Sequence, residues 1–98
     1  MSELISSEDK LFVIRTVQSN VSGVKIIAFG SRIRGDARQY SDLDIAVDAG
    51  RPLTLREQGI LADVFAESAL VFKVDVVDMH QIEDDFKKIV LKNGVEWR

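Results

Sequence analysis

Apolar residues recur along this chain with two different spacings, and the switches between them predict its elements. Leu11, Phe12, Ile14, Val17 and Val21 fall on one helical face behind an acidic turn, Glu8-Asp9. Ser6 and Asp9 have capping-box spacing, so a first helix is expected over Ser7–Asn20, stopped by Ser22-Gly23. A largely apolar run gives a strand at 24–29, after which Gly30-Ser31 opens a short helix whose pattern fades at Gly35-Asp36. Over 41–48 the period drops to two. Leu43, Ile45 and Val47 then point one way while Asp42 and Asp44 point the other.

The turn signal Asp48-Ala49-Gly50-Arg51-Pro52 separates this strand from a second capping-box candidate, Thr54 with Glu57. Ile60, Leu61, Val64 and Phe65 follow at helical spacing, predicting a helix over 55–68. A third strand is expected over 71–77, with Phe72, Val74 and Val76 on one face and Lys73, Asp75 and Val77 on the other. That parity lets Asp75 join Asp42 and Asp44, while Asp78 points elsewhere. The last helix covers 82–93, with Ile82, Phe86, Ile89 and Val90 on one side and Gly94 as its cap.

Composition narrows the class. The 98 residues suit one domain, 1–98, too short for separate catalytic and recognition domains. Hydrophobic content of 46% with 30% charged residues is that of a globular protein, and no apolar run reaches membrane-spanning length. No signal-peptide pattern is expected, and the absence of cysteine rules out disulfides and thiolate metal sites, which fits a reducing cytoplasm. A net charge of −3 argues against broad affinity for DNA or RNA. Nucleotides or a protein are the expected partners.

The chemistry concentrates in 30–47, GSRIRGDARQYSDLDIAV. Asp42 and Asp44 sit roughly 7 Å apart along one strand face at ~3.3 Å of rise per residue. Their repulsion, roughly a few kcal/mol at an effective dielectric of about 20, calls for a cation between them. Mg²⁺ suits them, since it is commonly held by one or two carboxylates plus substrate phosphate oxygens. The turn at Gly30-Ser31 supplies backbone N–H groups and a hydroxyl for phosphate, and Arg32 and Arg34 supply forked cationic donors. Phosphate tail and metal would meet in one cleft.

The order Gly-Ser, ten residues, Asp-x-Asp resembles the signature of the polymerase-beta-type nucleotidyltransferase superfamily, and the short chain resembles its minimal nucleotidyltransferase branch. VDVVDM resembles the strand carrying that family's third carboxylate, and IVLKNGVEW the end of its last helix. The resemblance implies an α/β nucleotidyltransferase fold in the order α-β-α-β-α-β-α. Its small mixed sheet of about three strands would have helices on one face and the carboxylates on the other. It implies two divalent ions on Asp42, Asp44 and Asp75, Asp75 as general base, and Gly30 and Ser31 on the β- and γ-phosphates. It further implies transfer of AMP from ATP to a hydroxyl, a tyrosine in the first place, of a HEPN toxin that the chain silences as antitoxin in a hetero-oligomer.

Two other readings stay open at this point: an antitoxin that acts by binding alone around a vestigial metal site, and an enzyme modifying a small-molecule hydroxyl such as an aminoglycoside. Asp78 is the competitor of Asp75 for the third carboxylate. His80 is read as a loop or capping residue, Tyr40 as a loop-packing residue that could stack on a base, and Trp97 as a lid on the core.

Overall fold

Ser6 Oγ accepts from the Asp9 backbone N–H at 3.1 Å and starts α1, Ser7–Asn20, at the expected residue. This computed structural model describes residues 5–35 and 41–98. Beyond α1 the order is β1 (Lys25–Phe29), α2 (Ser31–Arg34), β2 (Leu43–Asp48), α3 (Leu55–Ala66), β3 (Val74–Asp78), α4 (Asp84–Asn93) and β4 (Val95–Trp97). The filler residues 36–40 of the motif, Tyr40 among them, lie outside the described residues.

The sheet runs β3-β2-β1-β4, with β2 parallel to β3 and β1 antiparallel to both β2 and β4. On one face Val13, Ile14 and Val17 of α1 and Leu61 and Phe65 of α3 pack on Ile26, Ala28, Leu43, Ile45 and Val47, all buried. Pairing parity puts Phe29, Asp44 and Asp75 on the opposite face. That opposite face is not bare. Val90 of α4 is buried against Ala46 and Met79, with Ile27, Phe29 and Val77 alongside, and the rings of Phe29 and Phe86 meet edge-on at 5.8 Å. The carboxylates therefore share their face with α4, where the sequence placed helices on the other side alone.

The expected elements otherwise form, with two refinements. β4 adds a strand after α4: Gly94 donates to Val90 O at 2.8 Å as the expected cap, and Val95–Trp97 then pairs with β1, burying Trp97 opposite Ile26. Gly94 has a φ of −84°, so its value lies in space: a Cβ there would overlap the Ile27 side chain and the Val90 carbonyl. β3 begins at Val74 and not at 71, because its partner β2 begins only at Leu43. No helix among the described residues is long and apolar enough to cross a membrane.

Candidate functional site

The parallel register sets Asp44 of β2 directly beside Asp75 of β3, and the antiparallel register sets Phe29, the last residue of β1, opposite Asp44. Gly30 follows Phe29, so the turn into α2 closes over the Asp44 carboxylate. Its φ of +85° already favours glycine, and a Cβ built there would collide with Asp44 Oδ2. Sequence distance between the two motifs thus becomes close approach at Gly30 and Asp44.

The carboxylates feel one another. Burial raises Asp44 above the ordinary carboxylate range, and the charges of Asp75 and Asp42 push it the same way against a smaller opposing pull from Arg34. Asp75 is raised by burial, by a hydrogen bond with Asp42 and by Asp42's charge, with Lys73 opposing. Like charges held this close repel one another, and a cation among them would relieve the repulsion. Among the described residues no three His, Cys, Asp or Glu side chains are drawn together as a finished metal cage. Asp44 and Asp75 on neighbouring strands, with Asp42 just before β2, nevertheless offer hard oxygen donors of one sign, the donor chemistry that Mg²⁺ takes.

Asp78 separates from this group. Its carboxylate accepts from Leu53 N at 2.7 Å, which ties the end of β3 to the loop before α3, and from His80 N at 2.9 Å and Gln81 Nε2 at 3.1 Å, which hold the turn after β3. His80 belongs to the same framework, with Nε2 2.7 Å from Asp48 Oδ1. The two arginines of α2 also part company. Arg34 is exposed and close enough to Asp44 to lower its pKa. Arg32, expected beside it on the phosphate, is only 6% exposed: Nε donates to Ser41 O at 2.7 Å and the guanidinium lies 4.2 Å from the Phe72 ring centre. Neither Phe72 nor the Ser41 carbonyl stood out in the sequence, because a main-chain oxygen has no sequence signature and Phe72 reads as ordinary core.

Comparison with known proteins agrees with this geometry. The family model described as polymerase beta, nucleotidyltransferase matches residues 13–96. The probable protein adenylyltransferase MntA of Haemophilus influenzae is 38% identical over 88 residues, covering 90% of this chain and 77% of that protein. A crystal structure of a toxin–antitoxin with AMP-PNP superposes with a TM-score of 0.78 at 32% identity, covering 94% of this chain and 73% of that one. The complex of a tri-AMPylated Shewanella oneidensis HEPN toxin with its MNT antitoxin gives 0.74 at 27% identity, covering 95% and 72%. The family match over residues 13–96 and the 38% identical relative, with these superpositions, place the chain in the polymerase-beta nucleotidyltransferase family, in its minimal branch.

Proposed function

We propose that this nucleotidyltransferase moves AMP from ATP to a hydroxyl, a tyrosine in the first place, of a HEPN-type toxin, and acts as that toxin's antitoxin. The contact of Gly30 with Asp44, beside Asp75, carries the reading. It sets a phosphate-accepting turn and an acidic cluster in one place, and the relatives described as a protein adenylyltransferase and as a complex with an AMPylated toxin supply the acceptor class.

In this reading Gly30, Ser31 and Arg34 receive the β- and γ-phosphates, with the backbone approaching closely because Gly30 has no side chain. Holding the tail fixes the α-phosphorus for in-line attack, which replaces part of the entropic barrier. The acceptor oxygen forms a bond to the α-phosphorus, the bond from that phosphorus to the pyrophosphate oxygen breaks, and the acceptor proton passes to Asp75. Asp42, Asp44 and Asp75 would hold Mg²⁺, which when bound neutralises charge on the α-phosphate and the departing pyrophosphate.

The test is to incubate the protein with α-labelled ATP, Mg²⁺ and its co-expressed HEPN partner. Label is expected on the partner, and is expected to fall to background with Asp44→Asn. Neutralisation of the partner retained by Asp44→Asn, with no label transferred by wild type, would instead establish a module that acts by binding. Label appearing on a small-molecule hydroxyl without any protein partner would overturn the acceptor.

A further inference from the structure

Arg32 lies between the three segments that make up the site. It is the second residue of α2, directly after Gly30-Ser31. Its Nε donates at 2.7 Å to the carbonyl of Ser41, the residue before Asp42. Its guanidinium stacks 4.2 Å from the ring centre of Phe72, three residues before Asp75. Beside this clamp the entries of β2 and β3 are joined by Leu43 N–H donating to Lys73 O at 2.8 Å.

We infer that Arg32 is a positioning residue, fixing Asp42 relative to the Gly30-Ser31 turn and to Asp75 through the Ser41 carbonyl and the Phe72 ring. The inference rests on the nucleotidyl-transfer reading above and reassigns one of its cations. At 6% exposure Arg32 offers little surface to a triphosphate, and its Nε and one face already serve the Ser41 carbonyl and the Phe72 ring. Arginine suits the task where lysine does not. A planar guanidinium can lie flat on an aromatic face while donating from Nε in its own plane, whereas an ammonium is a compact, strongly hydrated point charge. The bond from Arg32 to Ser41 spans nine positions, so it ties the base of the segment joining α2 to β2. Loss of such a tie frees the Asp42 end of the acidic group while leaving the Gly30-Asp44 contact in place.

Arg32→Met keeps the length and apolar stem of the side chain and removes the fork. Four readouts on the full chain decide the matter: thermal melting, affinity for a non-hydrolysable ATP analogue, Mn²⁺ affinity by electron paramagnetic resonance, and amide hydrogen exchange at residues 41–43. The expected result is a folded protein that binds the analogue within about threefold of wild type, binds Mn²⁺ roughly 10–100-fold more weakly, and exchanges faster at 41–43. Arg32→Lys is expected to recover little of the Mn²⁺ affinity, and Phe72→Leu to shift the same two readouts in the same direction if Arg32→Met does not fold. Analogue affinity falling about tenfold with Mn²⁺ affinity and exchange unchanged would make Arg32 a phosphate ligand and overturn the inference. No change beyond melting would reduce it to packing and overturn it equally. Should wild type transfer no label while the exchange and Mn²⁺ effects persist, the transfer reading fails and the clamp stands.

Discussion

At Asp44 a half-buried carboxylate faces two others and a glycine whose missing side chain leaves it room. Such an arrangement favours cation binding over stability. Asp44→Asn removes the repulsion and is expected to stabilise the metal-free protein by about 0.5–1 kcal/mol after screening by water, seen as a melting point roughly 2–8 °C higher, while label transfer falls to background. A lower melting point in metal-free buffer would contradict this. Gly30→Ala acts in the opposite sense. A positive φ and the collision with Asp44 are expected to cost roughly 1–3 kcal/mol and to remove transfer together, with chemical denaturation and the labelling assay as the measurements. Much at this scale was legible in the chain. Strict alternation told Asp42 and Asp44 from Leu43 and Ile45, and the same parity told Asp75 from Asp78. Arg32 was not legible, because its burial depends on a phenylalanine forty positions away that local spacing cannot bring to it.

Helix α3 shows how far an element can be read before any coordinates exist. Thr54 Oγ1 accepts from Glu57 N at 3.0 Å and Glu57 Oε1 accepts from Thr54 N at 2.9 Å, the reciprocal bonds that the spacing predicted. Arg51 adds a two-pronged contact to Glu57 at 2.8 Å on each oxygen and lowers the Glu57 pKa to about 2. Since the folded value lies below the unfolded one, the Glu57 contribution is complete above the ordinary glutamate range and is lost as pH falls toward 2. Glu57→Gln should therefore melt below wild type at neutral pH and converge with it on acidification. A constant gap across that range would contradict the assignment. Thr54→Ala is expected to cost about 1 kcal/mol, or roughly 4–8 °C in melting temperature. Caps are readable because both partners lie within one turn. β4 is not, since three residues carry too little alternation and their partner strand lies some seventy positions earlier.

Over the whole molecule, the decisive fact is strand order. Placing β2 between β3 and β1 puts the Asp-x-Asp strand next to both the third carboxylate and the glycine turn. Periodicity gave faces but no neighbours, and the mixed directions came from the resemblance to a family. The far edge matters to stability: Trp97 is 2% exposed on β4, packed within the α1 side of the core and under Lys10 Nζ at 5.3 Å. Trp97→Ala is expected to cost roughly 3–5 kcal/mol, a large share of the 5–15 kcal/mol typical of a domain, read as a lower urea midpoint. The most direct test of the site is a crystal structure with a non-hydrolysable ATP analogue and Mg²⁺. The account predicts metal density touching Asp42, Asp44 and Asp75, with the triphosphate seated against Gly30 and Ser31. A nucleotide bound elsewhere, or ions held without those three acids, would contradict it.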